Sequence, residues 1–199
     1  MKPLLFTVAL SVAAAWPVHA GVITFDPVDE QGLTLAPGDR IGAQGFVFTQ
    51  ISAEPTTLFA GDTVGSYAGN GSNTLYAANH ATFDLSSGDG SLFALLELAI
   101  GGGNLAFLVD PGAVEPWAAS VDLLGTFGDG SQQQVSLAID PGVPGLALQS
   151  IGWSGLRSVQ FSATGDYSLD NLSLSVPEPT GPALVVLGLL VAARYRRRN

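Results

Sequence analysis

Residues able to do chemistry are few in this 199-residue chain, and their spacing favours binding over catalysis. Cysteine is absent, which removes thiolate nucleophiles, disulfide frameworks and thiolate metal sites. Two histidines occur, and His19 falls in an N-terminal segment with a different purpose. A Ser-His-Asp arrangement would therefore have to use His80, and no Gly-x-Ser-x-Gly elbow accompanies it. No His-Glu-x-x-His pair is present to hold zinc. His80 lies in Ala77-Ala78-Asn79-His80-Ala81, which reads as a loop leading into a strand over residues 82–85, so an ordinary structural or surface role is expected for it. Carboxylates are the abundant group, with sixteen Asp and Glu over residues 21–176. Two of them flanking a sugar would suffice for a glycosidase, yet no spacing singles out a pair. The chain is expected not to be an enzyme, with extracellular polysaccharide hydrolysis as the alternative.

Two kinds of binding fit the remaining groups. Hard cations take oxygen ligands, which makes calcium the metal to consider. Asp26 closes the first strand and Asp170-Asn171 opens the last, and the terminal strands of jelly rolls lie close together. Asp26 and Asp170 are therefore the candidate calcium ligands. Parity opposes the simple version: Asp26 sides with Thr24, and Asp170 with Leu172 and Leu174, so a bulge or strand end must bring them together. The Gly-Asp-Gly tips at Asp89 and Asp129 each offer one carboxylate and read as plain turns. Carbohydrate binding would use exposed rings among polar groups. Trp117, Trp153, Tyr67, Tyr76 and Tyr167 are available, beside the polar loop Gly69-Asn70-Gly71-Ser72-Asn73, and most of these rings are expected to pack in the core.

The elements that must position these groups read as strands. Hydrophobic residues make up 47% of the chain, enough for a packed core and too many for a disordered chain. Alternation places Ile23 with Phe25, Phe46 with Phe48, and Val135 with Leu137 and Ile139. Residues 121–127 and 132–139 flank Gly128-Asp129-Gly130-Ser131 as a hairpin whose glycines take φ > 0. Ser87-Gly88-Asp89-Gly90-Ser91 resembles that tip. Asp110-Pro111-Gly112 and Asp140-Pro141-Gly142 have type II turn chemistry. Residues 92–100 are almost wholly apolar and stop at Gly101-Gly102-Gly103, so they read as a buried strand. Residues 159–162 and 172–176 complete the set. Short strands with turns about every ten residues predict an all-β sandwich or jelly roll over residues 21–175. Arg40 and Arg157 are the only basic residues over 21–176, a surplus of fourteen negative charges that disfavours nucleic-acid binding.

The termini carry addresses. Met1-Lys2-Pro3 is a positive start, residues 4–16 are an apolar core, and Val18-His19-Ala20 has cleavage-site character. Residues 1–20 thus read as a secretory signal peptide cut between Ala20 and Gly21. At the other end Pro177 and Pro179 lack amide donors, so Pro177-Glu178-Pro179 is extended and accessible. Residues 180–193 form a 14-residue apolar run, a short hydrophobic helix about 21 Å long at 1.5 Å per residue. That falls short of a hydrocarbon core of roughly 30 Å. Arg194, Arg196, Arg197 and Arg198 would keep the end of the chain cytoplasmic.

Val176-Pro177-Glu178-Pro179, the apolar run and Arg196-Arg197-Arg198 together resemble the PEP-CTERM sorting signal over residues 176–199. That resemblance implies processing by a membrane-embedded exosortase in a Gram-negative bacterium. It also implies export through the inner membrane, transient anchoring, and delivery to the outer surface or extracellular matrix among exopolysaccharide and biofilm components. Ile23-Thr24-Phe25-Asp26, Gly45-Phe46-Val47-Phe48 and Leu169-Asp170-Asn171-Leu172 resemble the β-sandwich ectodomains of such proteins. They suggest a galactose-binding-like or lectin-like domain in a structural or adhesive role, with extracellular polysaccharide as a partner.

Overall fold

The computed structural model describes residues 18–25, 33–52, 56–58, 74–77, 80–102, 118–140 and 146–177. Among them every regular element is a strand: β1 (Val18–Ile23), β2 (Leu33–Leu35), β3 (Arg40–Ala43), β4 (Phe46–Gln50), β5 (Thr56–Leu58), β6 (Leu75–Ala77), β7 (Phe83–Ser87), β8 (Phe93–Gly102), β9 (Ser120–Phe127), β10 (Gln132–Ala138), β11 (Ala147–Ala163) and β12 (Tyr167–Pro177). No helix among the described residues is long and apolar enough to cross a membrane. The signal-peptide core, the chain from Glu178 onward, Asp26, Tyr67, the 69–73 loop and Trp117 lie outside the described residues.

The compact unit Ala20–Val176 is an all-β sandwich. One layer runs β3-β4-β7-β11-β9-β10 in antiparallel order. The other runs β1-β12-β8-β11, with β6 also on β12, while β2 and β5 form a separate pair. Period-2 alternation drives the layering. Phe46 and Phe48 on β4, Phe83 and Leu85 on β7, and Val121 and Leu123 on β9 are buried, with their polar neighbours on the opposite face. Aromatic pairs lock the layers together. Phe46 meets Phe93 edge-on with centroids 5.4 Å apart, and Phe25 meets Phe48 at 5.4 Å.

Strand β11 belongs to both layers. Its N-terminal half pairs with β8, and residues 158–161 lie between β7 and β9. At the junction Leu156 pairs with both Phe93 and Phe127. Register shifts fall between Ser150 and Trp153 and between Trp153 and Leu156, where Gly152 and Gly155 take φ of 70° and 75°. Such bulges bend a strand and need a residue free of the Cβ penalty. The bend turns Trp153 inward onto Phe127, with centroids 6.4 Å apart.

Several sequence expectations are corrected here. The first strand ends at Ile23, and Phe25, though buried, lies in a bend. Residues 159–162 are only the end of a 17-residue strand. Ser87-Gly88-Asp89-Gly90-Ser91 is not a hairpin tip, because β7 and β8 both pair with β11, one after the other. Those turn residues carry the chain from one layer to the other. The predicted 121–139 hairpin is present, but only Gly130 has positive φ, at 86°. At Gly128 a Cβ would meet only Leu92, at 2.8 Å from Cδ1, an exposed side-chain end that can move aside.

Close packing gives a test. A Cβ on Gly125 would lie 2.8 Å from Trp153 Cε3 and Cζ3 and 3.0 Å from Leu156 Cδ2, both core side chains at the β11 junction. Gly125→Ala is expected to destabilise the sandwich by about 1–3 kcal/mol through overpacking. Chemical denaturation that finds the variant as stable as wild type would contradict this junction geometry.

Candidate functional site

The outer face of the first layer is built from the polar halves of its alternating strands. Register fixes which residues meet. Arg40, Thr49, Asp84, Gln160, Leu124 and Gln134 form one row across β3, β4, β7, β11, β9 and β10. Gly42, Val47, Ser86, Ser158, Thr126 and Gln132 form the next. Five interstrand spacings of about 4.8 Å make each row about 24 Å long. The residues on β4, β7, β9 and β11 in these rows are half-buried, whereas those on β10 are exposed.

A concavity of about 370 Å³ opens at the β3-β4-β7 end of this face. Arg40, Thr49, Asp84 and Ser86 line it, with Val47 and Ile51 supplying an apolar patch. It therefore offers a cation, an anion and hydroxyls that can donate or accept. Burial pushes the Asp84 carboxyl above its usual range, and a hydrogen bond from Ser158 partly offsets that. Holding a half-buried carboxylate here works against stability.

Asp122 shares the face, paired with Ser162 and Ser136. It stands two strands and two residues from Asp84, about 12 Å between Cα atoms at ordinary sheet spacings. Inverting glycosidases hold their carboxyls roughly 6.5–9.5 Å apart and retaining ones about 5–5.5 Å. Short aspartate side chains standing side by side on a sheet do not close that gap.

The predicted site residues fare differently. His80 is exposed in a turn with φ of 59°, at the end of the loop before β7. Tyr76, Trp153 and Tyr167 are buried, so these rings form no exposed sugar platform. Tyr167 is wholly buried, its hydroxyl donating to Ala81 O at 2.9 Å and Phe161 O at 3.3 Å, and burial raises its phenol pKa. Asp89 and Asp129 sit on exposed turns. The Asp89 carboxylate accepts from Ser87 Oγ at 2.6 Å and Ser91 N at 2.9 Å, which lowers it to about 2. Ser131 lowers Asp129 in the same way.

Asp170 is fully buried, and its Oδ2 accepts from Asn171 Nδ2 at 3.1 Å. Asn171 takes φ of 50°, and the β12 register shifts between Asp170 and Ser173. The bulge that parity demanded is thus present beside Asp170, and it separates Asp170 from the Leu172/Leu174 face. Its proposed companion Asp26 lies outside the described residues. At the ends of the compact unit, Ala20 and Gly21 fall within β1, Val176 packs against the core, and Pro177 ends β12.

The residues that sequence reasoning missed are Arg40, Thr49, Asp84, Ser158 and Gln160. Alternation signalled that each faces outward. Which of them become neighbours depends on cross-strand register, for which the sequence carries no local signal.

No family model matches this chain, and no curated protein is similar to it. Among solved structures it is similar to a CBM29-2 carbohydrate-binding module mutant complexed with mannohexaose, at 9% identity over 79% of this chain and 92% of that one, with a TM-score of 0.45. It is similar to the CBM22-1–GH10 modules of a Clostridium thermocellum endo-1,4-β-D-xylanase complexed with xylohexaose, at 11% identity over 80% and 28%, with a TM-score of 0.41. The CBM22-1 xylan-binding domain of a Paenibacillus barcinonensis protein is similar at 13% identity over 76% and 99%, with a TM-score of 0.39. The chemistry of the trough rests on its own side chains.

Proposed function

We propose that this chain is a non-catalytic, exosortase-sorted surface or matrix protein whose sandwich binds neutral extracellular polysaccharide through the outer face of the β3-β4-β7-β11-β9-β10 layer. The observation that carries this is the trough holding Arg40, Thr49, Asp84 and Ser86 at one end of polar rows spanning six strands. A carboxylate and a guanidinium in one trough, with the Thr49 hydroxyl between them in the row, can accept from and donate to sugar hydroxyls. The surplus of negative charge repels polyanions, which leaves neutral chains as the ligand class. The Asp84–Asp122 separation does not support hydrolysis by that pair. The sorting role rests on the resemblance of residues 176–199, and calcium rests on the buried Asp170 beside its bulge, since a cation favours burial of a carboxylate.

Asp84→Asn separates ligand binding from folding. On a panel of neutral and acidic polysaccharides, wild type should retain neutral ones, with Asp84→Asn and Arg40→Ala each weakening binding about tenfold, or about 1.4 kcal/mol. Because the folded Asp84 pKa is raised, wild type gains stability as pH falls through it towards the unfolded value and carries the full penalty above it. Asp84→Asn should therefore have a higher Tm than wild type at neutral pH, with the gap closing in acid. Absence of binding to every neutral polysaccharide would refute the ligand assignment.

Sorting and calcium have their own tests. Mass spectrometry of protein from exosortase-competent cells should find a C-terminus near Pro177-Glu178-Pro179; an intact end at Asn199 would sink the sorting proposal. Thermal unfolding with calcium and then with excess chelator should show a calcium-dependent rise in Tm that Asp170→Asn abolishes. A wild-type Tm indifferent to chelator would remove calcium from the account.

A further inference from the structure

The outer strands of the two layers are guarded unequally. β3 is four residues long and carries Arg40, and the N-terminal half of β11 is bent by bulges at Gly152 and Gly155. Short length, charge and bulges all discourage edge-to-edge pairing. β10 has none of them. Its seven residues, Gln132-Gln133-Gln134-Val135-Ser136-Leu137-Ala138, include no charge, proline or glycine, and its register on β9 is unbroken. Among the described residues it pairs with β9 alone, and all of it but Val135 and Leu137 is exposed.

The hydrogen-bond polarity of this edge follows from its ends. The Phe127 amide donates to Ser131 O at 2.9 Å, and the Ile139 amide to Ala119 O at 2.8 Å. Both pairs continue the β9–β10 register, and bonded and non-bonded pairs alternate along an antiparallel ladder. Residues 133, 135 and 137 therefore turn their backbone groups to β9. Gln132, Gln134, Ser136 and Ala138 turn theirs outward.

We propose that β10 is the seat of a symmetric pairing between two copies of this chain. Antiparallel pairing about a two-fold axis at Val135 sets Gln132 opposite Ala138 and Gln134 opposite Ser136. No other antiparallel register matches all four outward residues with one another. It joins Gln134 amides to Ser136 hydroxyls on the outer face and brings the half-buried Val135 against its own copy. Both β10 edges are consumed, so the assembly closes as a dimer instead of growing. Charge favours the same place. Two copies, each with fourteen surplus negative charges over residues 21–176, repel, and they meet at least cost along a strand with none. Asp129 and Asp140 flank β10, and pairing moves each towards its opposite number in the other copy, so salt should strengthen the dimer.

Sedimentation velocity on the full chain in density-matched nonionic detergent, over a concentration series at low and high salt, tests this. Wild type should shift from monomer to dimer with concentration, more readily at high salt. Ser136→Pro removes an outward amide and no β9 hydrogen bond, and should abolish the dimer. Gln134→Glu sets like charges across the axis and should weaken it at least tenfold, with partial recovery in salt. If Ser136→Pro loses its fold, judged by its unfolding transition, Gln134→Glu alone decides. A wild type that stays monomeric, a dimer unmoved by Gln134→Glu, or assemblies larger than two would each overturn the proposal.

Discussion

Strand β11 has to hydrogen-bond in two sheets at once, and the rest of the sandwich is arranged around that requirement. A single regular strand cannot lie in two layers that face one core from opposite sides, so the chain bends twice, at Gly152 and Gly155. Between the bends Trp153 swings inward, and the absent side chain of Gly125 makes room for it. Leu156 then serves as the shared rung, touching the β8 register on one edge and the β9 register on the other. Everything on the outer face inherits this alignment. Asp84 meets Gln160 because β7 docks on β11 just beyond the second bend.

Much of the local structure was legible in the sequence. The β9–β10 hairpin announced itself through alternating arms around Gly128-Asp129-Gly130-Ser131, and the inward set of Phe46 and Phe48 was plain from period-2 spacing. The role of β11 was not, because each bulge resets its alternation, and periodicity detects a strand only while the parity holds. The step between layers at residues 87–91 was hidden for a similar reason. Its glycines, aspartate and serines match those of a true hairpin tip, and only the pairing of β7 and β8 with the same edge of β11 tells them apart. The trough was illegible as a site because its members come from strands distant in the chain, brought together by register.

The outer face also has a chemical character of its own. Its described residues are hydroxyls, amides, two small acids, an arginine and a few aliphatics, with no aromatic ring among the two central rows. Such a face gains affinity by exchanging water hydrogen bonds for ligand ones, each worth only about 0.5–1.5 kcal/mol net. Under the proposed function, grip on a polymer would come from the number of contacts along a row. The described rings that might have stacked on sugars, Tyr76, Trp153 and Tyr167, are spent inside, where Tyr167 ties β12 to the backbone at Ala81 and Phe161.

The pairing of the first strand with the last carries a kinetic consequence. Among the described residues β1 pairs with β12 alone, β8 lies between β11 and β12, and β7 needs β11 on one of its edges, so neither layer can close until nearly the whole domain has been made. Chains dominated by such distant pairings fold slowly, because loop-closure entropy must be met before contacts compensate it. A newly made copy would thus spend its early life as an open chain with its strands unmatched. That is the state in which a polypeptide can be threaded through a narrow pore.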